Sequence, residues 1–212
     1  MLAQGTPSSS AKHRVVRLTR VNTEGARVSE LGEYYGGSLD PVVRRSLALS
    51  ASGQELAVAA RDGEDIHLVS STGKTTTILR TSGPRMRISE EDATTRINAS
   101  IPRSLRGEAR DARVRRLRAL HQEQYWPLFD RVLLGRDGAV WVQDYQPLVD
   151  GPDIWTKLEK SGRPVGRLVL PNDKQRSPQD VLSFSTSEVL VRWRDADGAP
   201  YFSIHRIEVM RD

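Results

Sequence analysis

The chain of 212 residues contains no cysteine. Disulfides, thiolate nucleophiles and thiolate metal sites are thereby excluded, and compartment cannot be read from that absence. Aromatic residues are scarce at 6%, and apolar residues make up 37%, which suits a sheet protein of many short strands with polar rims. No apolar run approaches the roughly 18 residues of a membrane span. The first residues (MLAQGTPSSSAKHR) lack the apolar core of a secretory signal. Catalytic signatures are missing as well. There is no G-x-S-x-G nucleophile turn. Gly73-Lys74-Thr75 lacks the earlier glycine and the following helix of a phosphate loop. The four histidines, His13, His67, His121 and His205, show no H-x-x-x-H spacing, so they offer no zinc pair.

What the chain does have is turn chemistry. Between Pro127 and Pro171 four β-like segments follow one another, at 128–134, 139–145, 154–159 and 164–170. Arg136-Asp137-Gly138 and Ser161-Gly162 separate them, and such glycines supply the positive φ of a tight hairpin. Residues 46–80 repeat this layout, with segments at 47–50, 55–60, 65–70 and 75–80 and glycines at Gly53 and Gly73. The repeat lies in layout and turn position rather than in residue identity. Units of about 40 residues with this content point to four-stranded propeller blades. A third set lies at 181–185, 189–194 and 201–210, and a two-stranded hairpin at 14–21 and 27–34. Residues 1–13 read as a disordered tail, rich in Gly, Thr, Pro and Ser. Between residues 86 and 124 the period changes to that of helices. Ser89 followed by Glu90, Glu91 and Asp92 forms an N-cap signal, Pro102 interrupts, and 103–124 reads as a helix. Leu105, Ala109, Ala112, Arg116, Ala119 and Leu120 fall on its apolar side, with Leu117 at its edge. The expected fold is all-β: a partial propeller over 14–212, about three four-stranded blades plus an extra hairpin, with one helical insertion at 86–124.

Particular residues carry a resemblance to a family. Arg136-Asp137-Gly138-Ala139-Val140-Trp141-Val142 resembles the D-x-G-N-L-W-V strand pair of bacterial six-bladed β-propellers, of the NHL and lactonase-like kind, with Ala139 where that family favours Asn. Ile154-Trp155, Ser161-Gly162 and Leu168-Val169-Leu170-Pro171 are similar to its next hairpin. Val191-Arg192-Trp193-Arg194-Asp195 resembles its closing blade. The resemblance covers 46–212. It implies a propeller architecture, export or a periplasmic location, and little about activity. It also implies more blades than this chain holds, so the ring would be completed by further N-terminal blades or by self-association.

Candidate sites follow from clusters. The net charge is +5, and Arg103, Arg106, Arg110, Arg113, Arg115, Arg116 and Arg118 crowd into one stretch. Arg106, Arg110 and Arg113 share a helical face that could contact an anion or the phosphates of a nucleic acid. Such runs are ordinarily solvated faces, here supported by an Asp111–Arg115 pair, and nucleic acid is not the favoured partner. Trp126, Tyr145 and Trp155, with Asp150 and Asp153 of the polar loop at 146–153, are the candidate ligand-binding groove. Asp62, Asp137, Asp144, Asp150, Asp153, Asp195 and Asp197 are the available carboxylates. Asp-Gly turns explain Asp62, Asp137 and Asp197 without function. No cofactor is implied, although the lactonase-like resemblance leaves room for a divalent cation held by carboxylates at the propeller axis. The expected function is that of a non-enzymatic scaffold binding a protein, peptide or glycan-like ligand. The alternatives are a cation-dependent hydrolase of the lactonase type and anion or nucleic-acid binding through the arginine-rich helix.

Overall fold

A computed structural model describes residues 8–10, 13–35, 42, 47–52, 55–60, 65–80, 85–121, 124–145, 152–159, 161–170, 177–195 and 197–207. The protein is mostly β, with a helical insertion. Four antiparallel sheets follow one another along the chain. Sheet 1 holds β1 (Ser8–Ser10), β2 (His13–Val21) and β3 (Arg27–Tyr35). Sheet 2 holds β4 (Leu47–Ser52), β5 (Glu55–Ala60), β6 (Asp65–Ser70) and β7 (Thr75–Arg80). Sheet 3 holds β8 (Phe129–Leu134), β9 (Val140–Asp144), β10 (Asp153–Leu158) and β11 (Pro164–Leu170). Sheet 4 holds β12 (Ser177–Phe184), β13 (Glu188–Arg194) and β14 (Pro200–Arg206). In every sheet, strands that are consecutive in sequence are neighbours in space.

One turn recurs five times. Gly25, Gly73, Gly138, Gly162 and Gly198 all have φ between +76° and +88°. Each donates its N–H to the carbonyl three residues earlier: Asn22, Ser70, Gly135, Glu159 and Asp195 respectively. The same earlier residue donates its own N–H to the carbonyl just after the glycine, at 2.8 to 3.1 Å. This is the three-residue hairpin, a type I turn closed by a residue in the left-handed region. Only glycine takes that conformation without a Cβ penalty, which is why the spacing is visible in the sequence.

The sheets stack face to face. Leu18 and Leu31 of sheet 1 pack with Leu56, Val58 and Val69 of sheet 2. The other face of sheet 2 offers Ala57, Ala59, Ile66 and Leu68 to Phe129, Val132, Val140, Val142 and Leu158 of sheet 3. The far side of sheet 3 carries Trp141, Trp155 and Leu170, which meet Val181, Phe184, Val189, Val191 and Trp193 of sheet 4. Side chains alternate across a strand, so β9 serves two interfaces: Val140 and Val142 face sheet 2 while Trp141 faces sheet 4. The first strands of successive sheets adjoin, β4 against β8 and β8 against β12. Leu134 N donates to Ser50 Oγ at 2.8 Å across the first contact, and Arg136 N to Phe184 O at 2.9 Å across the second. Repeated antiparallel sheets in this arrangement are compatible with a propeller-like fold.

The insertion between sheets 2 and 3 holds α1 (Glu90–Ala99) and α2 (Gly107–Leu120). Ser89 caps α1 by accepting Asp92 N at 3.0 Å, and three acids fill the first turn. Ile88, Ala93, Ile97, Ile101 and Leu117 close over Trp126. A short antiparallel bridge, Arg87 with Tyr125, pins the insertion to the chain entering sheet 3.

Several expectations need correction. Ser8–Ser10 pairs with β2 in register Ser8↔Val15, so part of the expected tail is a strand and the expected hairpin is a three-stranded sheet. β14 spans Pro200–Arg206, and residues 208–210 lie outside the described residues. The apolar side of α2 is rotated from the expected one toward its edge at Leu117, and Leu105, which precedes the helix, packs against the same cluster as expected. Leu117 is buried, with Val114 packed beside it, whereas Ala109, Ala112, Arg116, Ala119 and Leu120 are exposed. The helix touches α1 along a single narrow line, which small residues elsewhere on its surface do not reveal.

Candidate functional site

The carboxylates divide into separate environments. Asp153 opens β10 and accepts Gln143 Nε2 at 3.0 Å. Burial pushes its carboxyl above the ordinary range; Gln143 and the Arg131 guanidinium oppose the rise, while the charges of Asp130 and Asp180 add to it. Arg131 organises this corner. It lies 3.6 Å from Asp180, donates to Val181 O at 3.0 Å and sits 5.7 Å from the Trp155 ring centroid. Arg192 pairs with the same Asp180.

Asp144 is also raised by burial, against a 3.1 Å hydrogen bond donated by Thr156 Oγ1 and the attraction of Arg167. It belongs to the opposite face of sheet 3. Thr156 lies directly across from Val142, on the side turned to sheet 2, while Asp153 shares the Trp155 side turned to sheet 4. The two half-buried acids therefore do not form a pair for acid and base work. Asp137 sits in its turn, accepting Ala139 N at 3.1 Å and meeting Lys157 at 3.2 Å. Asp195 caps its own turn by accepting Asp197 N and Ala199 N. Among the described residues no three His, Asp or Glu side chains converge as a metal ion would need. Asp62 and Asp150, with 146–151 of the polar loop, lie outside the described residues.

Two of the three aromatic residues of the expected groove, Trp126 and Tyr145, are brought together, and Trp155 lies apart from them. Trp126 stacks on Tyr145, with ring centroids 5.3 Å apart, beneath the helices, and Arg96 covers the indole at 5.7 Å. Trp155 is 0% exposed in the interface of sheets 3 and 4, edge-on to Phe184 at 5.2 Å. Trp141 stacks on the same phenylalanine at 4.2 Å. These aromatic rings fill the seams between layers.

Arg106, Arg110 and Arg113 are also divided. Arg110 is part-buried and donates to Asn98 Oδ1 at 3.1 Å, tying α2 to α1. Arg106 is the N-cap residue of α2, and Arg106 and Arg113 are exposed. Asp111 and Arg115 form no ion pair with each other in the structure.

Sequence reasoning passed over the outer face of sheet 4. Residues directly opposite in an antiparallel pair share a face. Leu190 lies across from Ile204 and Arg192 from Phe202, on the side away from sheet 3. Phe202 is 60% and Ile204 67% exposed, and Leu182, the bulge residue of β12, is exposed as well. Glu188 across from Arg206 closes one end of this face, and the Asp180–Arg192 pair lies toward the other. The signal was in the sequence. Phe202 and Ile204 alternate with Ser203 and His205, and the polar pair shares the face of Val189 and Val191, where Trp193 Nε1 donates to Ser203 Oγ and Ser203 meets the exposed His205 Nε2 at 2.7 Å. An apolar set on the outside of an edge sheet is the inverse of the ordinary arrangement.

Among the described residues no helix is long and apolar enough to cross a membrane. The chain matches no model of a known protein family, and no curated protein matches it.

Proposed function

We propose that the chain is a portion of a propeller of the six-bladed bacterial kind, that it works as a non-enzymatic interaction scaffold, and that its first partner is a second copy of itself. The observation that carries this is the apolar outer face of sheet 4. Leu190, Phe202 and Ile204 offer to solvent the kind of surface that Val189, Val191 and Trp193 bury against sheet 3. The apolar sets on the facing sides of the other sheets are buried against a neighbouring sheet, and burying apolar area is the dominant gain in association. Charge supports a second copy as the occupant. A two-fold axis along the strands lays β13 over β14 of the other copy. Glu188 then lies over Arg206 of that copy, and Leu190 meets Ile204, so the Glu188–Arg206 end is matched by symmetry.

The test is light scattering coupled to size exclusion over roughly micromolar to hundred-micromolar protein. A concentration-dependent dimer that is lost in Phe202→Asp/Ile204→Asp supports the reading. A monomer throughout, or a dimer indifferent to that substitution, overturns it.

A further inference from the structure

The charge of this protein is placed in one element. The segment from Arg103 to Arg118 has seven arginines against Glu108 and Asp111. That is the whole of the chain's +5, so everything outside the segment balances at 25 charges of each sign. The helix that carries the excess makes little use of it. Arg110 bonds Asn98, and Arg118 bonds Thr94 Oγ1 at 3.2 Å on the surface. Arg103, Arg106, Arg113, Arg115 and Arg116 are exposed and enter no ion pair or hydrogen bond among the described residues. Holding so many like charges on one short helix costs stability through repulsion, and nothing in the fold recovers that cost.

We infer that α2 is a docking element for the phosphate backbone of a nucleic-acid duplex. Its layout around the axis is the ground. At 100° per residue, Arg110, Val114 and Leu117 form the side held by α1. Glu108, Ala112, Arg115 and Ala119 lie opposite, with Arg113 and Arg116 on one flank and Asp111 and Arg118 on the other. In the last two turns the outward line holds only Arg115 and Ala119, whose neighbour Ala112 is small as well, and cations stand on both sides of it. A helix seated in a groove meets a phosphate strand on each flank, and a major groove about 12 Å wide admits one. The fourteen residues of α2 span about 21 Å, long enough to follow several phosphates. Glu108 and Asp111 lie toward the N-terminal half, so contact belongs to the C-terminal two turns.

Two neighbouring readings fit less well. A lipid surface needs an apolar face to insert, and Val114 and Leu117 are turned into the cluster around Trp126. Single strands are gripped by stacking on aromatic rings, and none interleave with these arginines. The binding inferred here is read from phosphates, so it is without sequence preference.

Fluorescence anisotropy with a labelled 20-base-pair DNA of mixed sequence tests this on the whole chain. Affinity should fall with salt, with a log–log slope near −3 to −4 for about four phosphate contacts. Arg113→Ala/Arg115→Ala/Arg116→Ala should weaken binding at least tenfold and flatten the slope. The same three positions changed to Lys should retain binding within a few fold. Alanine favours helix and the three side chains are exposed, so loss of fold does not confound the variant; a circular dichroism melt checks it. No binding at about 50 mM salt, or binding unchanged in the alanine variant, overturns the inference. So does capture by anionic phosphatidylserine vesicles in place of the duplex.

Discussion

The first and last sheets of the stack each have one face that no other described sheet covers, and they present that face to water differently. Sheet 1 arms it with charge: Arg17 meets Glu30 at 3.2 Å and Glu33, and Arg27 meets Glu30 at 2.9 Å. The side chains are about half exposed, so such pairs contribute little to stability and keep the face hydrated. Sheet 4 arms its face with Leu190, Phe202 and Ile204. An end dressed in ion pairs resists being covered, because covering it strips water from charges. An end dressed in apolar residues gains from being covered. The two outer faces of the stack are therefore unlike, which gives it a direction: that of sheet 1 is charged and hydrated, and that of sheet 4 exposes apolar side chains.

The largest effects should come from the inner faces of these same sheets, where both are packed alike. Trp155→Ala opens the seam under sheet 4 and should cost about 3–5 kcal/mol. Leu18→Ala does the same under sheet 1 at about 2–5 kcal/mol. Urea unfolding measures both. A cost below about 1 kcal/mol at either site would mean that the sheet is not docked as described.

Next comes a backbone contact at the seam of sheets 1 and 2. A Cβ at Gly73 would lie 2.4 Å from Glu30 O, and its φ is +88°. Gly73→Ala should therefore destabilise by about 1–3 kcal/mol. Gly138→Ala, with φ +76° and nothing within 4 Å of an added Cβ, should cost only the conformational part of that. Equal losses in a thermal melt would refute the close approach of the two sheets.

Asp153 gives a smaller effect near sheet 4. Its folded carboxyl is raised by burial, so the folded state holds its proton more firmly than the unfolded chain. Below the unfolded value, about 3.9, both states are protonated and nothing is lost. As pH rises from there through the raised folded value, the penalty grows to its full size. Asp153→Asn, which still accepts from Gln143, should stabilise at pH 7 by less than about 1 kcal/mol after solvent screening, and not at all near pH 3. A gain that persists at pH 3 contradicts the assignment. Smallest of all, Glu33→Gln on the outer face of sheet 1 should move stability by no more than about 0.5 kcal/mol, and a larger loss in the same melts would mean that its ion pair does more than keep the face wet.

The strands were legible because their turns were. Gly73, Gly138, Gly162 and Gly198 mark hairpins whose geometry admits little else, and the segments between them became β6 to β14 with shifts of a few residues. Ser8–Ser10 was not legible, since a short serine strand is held by its neighbour's backbone and leaves no apolar trace. The helix α2 was placed but misoriented. Its anchoring rests on Leu117 and Val114, and the alanines that suggested another side carry no preference strong enough to decide. The site was harder. Val140, Trp141 and Val142 are all buried because sheet 3 is covered on both faces, and a continuous apolar run cannot say which residue faces which neighbour. For the same reason Trp155 was grouped with Trp126 and Tyr145, though they fill different seams. The exposed set on β14 alternates as any half-buried strand does, and only the stack reveals that its apolar side points outward.

The most direct test of that directionality is the molar mass of the wild-type chain in solution beside two paired variants, one at each end. The expected result is a wild-type dimer that Phe202→Asp/Ile204→Asp converts to a monomer of unchanged melting temperature at low concentration. Arg17→Ala/Glu33→Ala should leave the dimer intact. A wild-type monomer at hundred-micromolar concentration, or a dimer broken by the sheet 1 variant and not by the sheet 4 variant, would contradict it.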